Sequence, residues 1–283
     1  MDFFANIFGY ALNAIYGIIN NYGISIIIFT IILKLIMMPI TIKQQRTMKK
    51  QTKVQAMVKD IQDKYKGDSV RLNQEMMAVY KNEGVSPFSG CLSAIIQFVL
   101  ILSIFFLVSR PLTHMRQIDP EIIDKYAQEI QEEGNSLNYK EITIIREKAA
   151  EDENIRINME FLGLDLSDIP SQNYSNWKVF IIPVLYVCTS IISMRITAKM
   201  TKQMKEKAVE VKKETEETEG KEDEKEKDAM EEMNKNMMLM MPIMSVSIAL
   251  VAPLGLALYW LTSNILMILE RLAINKWFKS EEV

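Results

Sequence analysis

Histidine is almost missing from this 283-residue chain: there is one, His114. A metal site built on several imidazoles is therefore excluded. Cysteine is nearly as scarce. Cys91 and Cys188 both lie inside apolar runs, where they read as small hydrophobes and not as a disulfide framework. No phosphate-cradling glycine loop, HExxH or GxSxG occurs, so nucleotide, zinc-protease and serine-hydrolase chemistry lack their parts. Met1-Asp2 offers no basic n-region and no small-residue cleavage site follows, so no cleaved secretory signal is expected. These absences predict a protein that is not an enzyme and needs no metal or cofactor. Nor is there an excess of one charge: 33 Lys and Arg stand against 36 Asp and Glu, a balance that says little about partners because the charge is unevenly distributed; no nucleic-acid specificity is expected.

What the chain does have is apolar residues gathered in blocks. The mean hydropathy is only +0.03, because long polar connections dilute the blocks. The reading is an all-α membrane protein with five transmembrane helices at 23–42, 88–109, 177–198, 237–252 and 253–274, each predominantly apolar. Residues 1–22 precede them as an interfacial amphipathic helix, with Phe4, Phe8, Leu12, Ile15 and Ile19 at helical spacing. The 43–87 loop reads as a helical hairpin, Lys43–Tyr65 and Ser69–Glu83, broken at Lys66-Gly67-Asp68 and stopped by Gly84 and Pro87. Residues 110–176 form an acidic loop that includes helix near 121–133 and 140–151. Residues 199–236 are a charged loop without a core, and 275–283 a short tail.

Orientation follows from lysine and arginine. Lys43, Arg46, Lys49, Lys50 and Lys53 follow the first span, and Arg195, Lys199 and Lys202 the third. Arg271 and Lys276 end the fifth. These sides are expected to be cytoplasmic, leaving the acidic 110–176 loop and the N-terminus external. The localisation expected is the cell membrane, multi-pass. The hairpin's basic residues suit anionic lipid head groups at about 1 kcal/mol each.

Within the first span stands one charge, Lys34, about eight residues from the nearer end, or roughly 12 Å at 1.5 Å per residue. That is far for a lysine stem to reach the interface, and a bare ammonium in lipid costs about 2.5–3.5 kcal/mol. The other spans are read as holding no mid-membrane Asp or Glu. A wet cavity is therefore expected around Lys34, in preference to a buried carboxylate that merely packs it. Polar stripes fit such a cavity. Thr30, Lys34 and Thr41 share a face; Gly90, Ser93 and Gln97 form a second line; Tyr186, Ser190, Ser193 and Thr197 a third; Trp260 and Asn264 a fourth. Singly, such stripes usually mean helix packing; together with the lysine they point to a shared polar surface. The run Met237–Met244, with Met37, Met38 and Met267, adds a soft face for varied apolar guests. A Thr30–Lys34 protease dyad lacks oxyanion donors. A small-solute or ion transporter using Lys34 stays open as the alternative function.

Several motifs resemble the YidC/Oxa family of membrane protein insertases, in its bacterial, Gram-positive-like five-span form. They are Pro39-Ile40-Thr41-Ile42-Lys43-Gln44, Val85-Ser86-Pro87 with Gly90-Cys91-Leu92, Phe161-Leu162-Gly163-Leu164-Asp165-Leu166, and Ala252-Pro253-Leu254-Gly255 through Trp260 to Asn264. The resemblance implies a hydrophilic groove open to the cytoplasm, carrying the first-span charge at Lys34. It implies substrate contacts at Thr30 and Trp260 and a groove-lining Gln97, to which the polar stripes add Ser93, Tyr186, Ser190 and Asn264 as further lining. It implies a mobile cytoplasmic hairpin that receives clients. Partners implied are nascent membrane proteins with short, often acidic, external segments, with the ribosome and the Sec translocon as candidates. Where the family usually has arginine, this chain has Lys34, keeping the charge but losing the two-pronged clamp.

Overall fold

The computed structural model describes residues 2–65, 67–86, 89–134, 137–213 and 247–281. Helix dominates. Its elements are α1 (Asp2–Ile19), α2 (Tyr22–Lys64), α3 (Ser69–Asn82), α4 (Ser89–Ser109), α5 (Pro120–Glu132), α6 (Lys140–Lys148), α7 (Ile181–Lys213) and α8 (Leu254–Glu281). One ladder, β1 (Glu160–Phe161) with β2 (Leu164–Asp165), pairs antiparallel. Among the described residues, four helices are long and apolar enough to cross a membrane: Asp2–Ile19, a stretch within Tyr22–Gln62, Trp177–Met200 and Leu254–Ile274. A shorter apolar helix covers Ile95–Ser109. Residues 237–246 of the expected fourth span, with most of its methionine run, lie outside the described residues, as does most of the 199–236 charged loop; 247–251 are helical.

The chain divides into two compact units. The first comprises the described parts of Met1–Ile36, Phe98–Ser193 and Met237–Val283, the second those of Met37–Gln97 and Met194–Asn236. In the first, α1 buries Ala5, Gly9, Leu12 and Tyr16, a stripe one residue off the expected phenylalanine face. The reason is close approach. A methyl group on Gly9 would overlap the His114 carbonyl, so the small residues face the one-turn π-helix Leu112–Arg116 while Phe4 stays exposed. Asn6, expected off the stripe, lies with Oδ1 2.6 Å from His114 Nδ1. The chain then turns at Asn20, which takes a left-handed conformation (φ 50°). Asn21 caps α2 by accepting the Ile24 N–H at 3.0 Å.

The segment between α4 and α7 is folded. Asp119 caps α5, whose Ile123, Ala127 and Ile130 pack with Ile142, Ile144 and Ile145 of α6 in the core. Both helices fall close to the expected positions. The β1–β2 turn passes through Leu162 (φ 52°) and Gly163 (φ 74°), the paired left-handed residues a two-residue hairpin turn needs. Its neighbours satisfy the ends of long helices. Tyr22 N–H donates to Asn158 O (3.0 Å), Leu254 N–H to Asp168 O and Gly255 N–H to Leu166 O (both 2.9 Å). Helix termini carry orphan donors, and here this segment accepts them.

In the second unit, the first span and the helix after it are expected as separate pieces meeting at 42/43, yet α2 is continuous. Pro39 forfeits one bond to the Leu35 carbonyl, and the Lys-, Gln- and Met-rich stretch beyond it propagates the helix well enough to absorb that loss. Asp68 caps α3 by accepting the Arg71 N–H at 3.0 Å. Lys53 donates to Glu83 at 2.9 Å, and Arg71 lies 5.1 Å from the Tyr65 ring. Val54 and Val85 are buried.

Candidate functional site

Lys34 is not alone. Its Nζ lies 3.8 Å from Glu270 Oε2 on α8, which corrects the expectation that no span supplies an acid. Glu270 escapes notice because it stands about four residues from the expected end of the fifth span, among Arg271 and Lys276, where it reads as a head-group charge. Lys34 is about eight residues from the end of its own span. The two depths differ by roughly 6 Å at 1.5 Å per residue, which two extended side chains bridge. One signal was available: continuing the Trp260–Asn264 stripe by two turns arrives at Arg271, with Glu270 beside it.

The pair is asymmetric. Glu270 is 8% exposed and Lys34 26%. Glu270 Oε1 is buried without a hydrogen-bond partner among the described residues. At 3.8 Å the contact exceeds the roughly 2.7–2.9 Å of a charge-assisted hydrogen bond. The ammonium therefore keeps access to its surroundings, while the acid is shut in and meets the ammonium only at long range.

On α7 and α8 the two polar stripes meet. The rings of Tyr186 and Trp260 are 6.0 Å apart between centroids. Asn264 donates from Nδ2 to Ser190 Oγ (2.9 Å) and to Thr189 Oγ1 (3.3 Å). Arg271 Nη1 approaches Ser193 Oγ at 3.5 Å. Partners rise together in number along both helices, so α7 and α8 run in the same direction. The pairing of Tyr22 with Gly255 and of Lys34 with Glu270 makes α2 parallel to α8 as well. Tyr22 Oη donates to the Val108 carbonyl at 3.5 Å, which sets the end of α4 beside the start of α2.

Thr30 is 1% exposed, and its hydroxyl donates to the Ile26 carbonyl of its own helix at 2.6 Å. It sits behind the polar surface and does not open onto it. Trp260, Tyr186 and Ser190 are half-buried and Asn264 buried. Gln97 is exposed on α4 and belongs to the other unit, as do the hairpin residues Lys43, Arg46, Lys50 and Lys53. The Ser93 and Lys49 side chains lie outside the described residues. Thr189, Glu270 and Arg271 are the site residues that sequence reasoning missed. Among the described residues no cluster of His, Cys, Asp and Glu is able to hold a metal ion.

Comparison with known proteins gives two results. The family described as "60Kd inner membrane protein" matches residues 14–281. Proteins named membrane protein insertase YidC from Rickettsia felis and Rickettsia prowazekii are each 45% identical over 96 residues, and that from Rickettsia massiliae 44%. The aligned stretch is 34% of this chain and spans only 17% of each relative's length.

Proposed function

The chain belongs to the 60Kd inner membrane protein family, and on that premise we propose that it is a membrane protein insertase working without covalent chemistry. The relatives that align over 96 residues are named as membrane protein insertases. The observation that carries the reading is Lys34: a partly open cation deep in an apolar helix, held by a single acid at 3.8 Å. A nascent client with a short acidic external segment exchanges its carboxylate onto that ammonium, in a setting where a charge pair counts for more than in water. The client's apolar span then partitions into lipid, with the membrane potential adding about 2.3 kcal/mol per charge per 100 mV.

The groove of this reading is lined within the first unit by Lys34, Trp260, Tyr186, Ser190 and Asn264, and Thr30 joins it when the helices part around a client. The protein crosses the cell membrane five times. Parallel α2, α7 and α8 support this, since helices that run the same way across a membrane call for a return between each and the next. The lysine bias after α2 and α7 supports a cytoplasmic C-terminus and an external N-terminus. The helical hairpin made by the later part of α2 and α3, carrying Lys43, Arg46 and Lys53 on α2, is the cytoplasmic element that meets clients, anionic lipids and the ribosome, alone or beside the Sec translocon.

The test is insertion of a single-span client with an acidic external segment, made by cell-free translation onto proteoliposomes and scored by protease protection. Lys34→Ala lowers insertion about tenfold or more and Lys34→Arg sustains it. Photocrosslinkers at 97 and 260 capture the ribosome-tethered client. Normal insertion by Lys34→Ala overturns the charge mechanism, and client-free ion flux through the liposomes favours a transporter.

A further inference from the structure

Glu270 is the feature that the insertase reading leaves unused. Its carboxylate is 8% exposed and meets the Lys34 ammonium at 3.8 Å with Oε2, while Oε1 is buried without a hydrogen-bond partner among the described residues. A salt bridge that served packing alone would gain most by closing to hydrogen-bond distance and satisfying both oxygens, since a buried pair offsets its desolvation only with such geometry. This pair does neither. The more open member is the cation, so the face offered to an incoming group is the ammonium, and the acid stands behind it.

We propose that Glu270 is the resident counter-ion that a client's carboxylate must displace from Lys34, and that it thereby sets how acidic a client must be to engage. This rests on the insertase reading and deepens it by naming a selectivity residue. The exchange is a swap of ion-pair partners with no bond made or broken. An unoccupied groove keeps Lys34 neutralised by Glu270, so the bare cation is never presented to lipid. A neutral client segment has nothing to give the ammonium in return, and the resident pair persists. An acidic segment replaces a long, half-satisfied contact with a shorter one, and once the client slides into lipid Glu270 recovers its partner. Specificity by an internal competitor is a difference of affinities, and that difference is lost when the competitor is removed.

The experiment uses the full chain in nanodiscs and a synthetic peptide with one apolar span, led by a short segment carrying either two Asp or two Asn. Fluorescence anisotropy gives the Asp-to-Asn affinity ratio. Glu270→Gln raises that ratio about fivefold, the scale of one close charge contact. The double variant Lys34→Glu with Glu270→Lys melts like the parent and instead prefers a peptide carrying two Lys. Should Glu270→Gln fold poorly, Glu270→Asp, with its shorter reach to Lys34, raises the ratio in the same direction by a smaller factor. If Lys34→Gln erases the ratio while Glu270→Gln and Glu270→Asp leave it untouched, Glu270 only packs, the proposal fails and the groove charge survives. If Lys34→Gln also leaves the ratio untouched, the groove-charge reading falls with it.

Discussion

Two lysines in the first unit live in opposite circumstances. Lys148, at the end of α6, has three carboxylates around it: Glu133 at 3.0 Å, Glu129 at 3.7 Å and Glu151 at 3.9 Å. Lys34, in the apolar first part of α2, has one at 3.8 Å. The first is itself nearly covered, but it is held from several sides by exposed carboxylates that keep water within reach and act as a network. The second is held from one side in an apolar helix, where a charge is costly. Lys148 ties the folded segment between α4 and α7 together; Lys34 retains an appetite for a negative charge. Surplus partners mark a fastening, and a shortage of them marks a place where something else can bind.

The largest expected effect separates the two outright. Lys34→Ala cuts insertion of acidic clients by about tenfold or more, whereas Lys148→Met leaves insertion within about twofold of wild type. Client insertion into proteoliposomes, run side by side, measures both. Equal losses would erase the contrast between them.

A second effect is structural. Gly9→Val places a side chain where the His114 carbonyl stands, so α1 must lift from residues 112–116. Overpacking of this kind costs about 1–3 kcal/mol, read as a lowered melting temperature and faster proteolysis between α4 and α5. An unchanged melt would mean that α1 has another seat.

The third is a pH dependence confined to the same contact. Burial holds the His114 imidazole below its usual range, so the folded state favours the neutral ring. The stability from this contact is fully present above the unfolded pKa of about 6.5 and is lost as pH falls from there through the lower folded value. Thermal melts from pH 7.5 to 5 show the loss, and His114→Gln flattens it. Lys34-dependent insertion has no reason to follow that curve.

The smallest effect is at the α7–α8 contact. Asn264→Leu removes donors to Ser190 and Thr189, worth about 0.6 kcal/mol for a typical hydrogen bond between membrane helices. A slightly lower melting temperature with an unchanged Asp-to-Asn ratio would mark Asn264 as a strut between helices and not a client contact.

Much of this was legible beforehand, for definite reasons. Lys34 stands out because its neighbours are uniformly apolar. Helices α5 and α6 announce themselves through Asp119-Pro120 and through isoleucines at helical spacing. The facing stripes of α7 and α8 follow from their 3.6-residue period. Other features have no such signature. Glu270 hides among the cations that end its helix, and pairing across helices is not written in either sequence alone. The buried face of α1 is set by how closely Gly9 can approach another backbone, which hydrophobicity does not encode. Thr30 looks like a groove residue by spacing, but a threonine in a helix can turn its hydroxyl onto the preceding carbonyl, as this one does. The two-residue strands β1 and β2 are too short for any period.

The bonds from Leu254 and Gly255 to the carbonyls of Asp168 and Leu166 have a consequence in time. The chain is made from its N-terminus, so those two carbonyls emerge long before their donors exist. The segment between α4 and α7 is therefore left with unmatched acceptors and an open seam until α8 arrives. Its completion reports that the last helix is in position, and protection of residues 158–168 from protease during synthesis should lag behind that of α5 and α6. A membrane protein proposed to help others assemble thus has a clasp of its own that closes last.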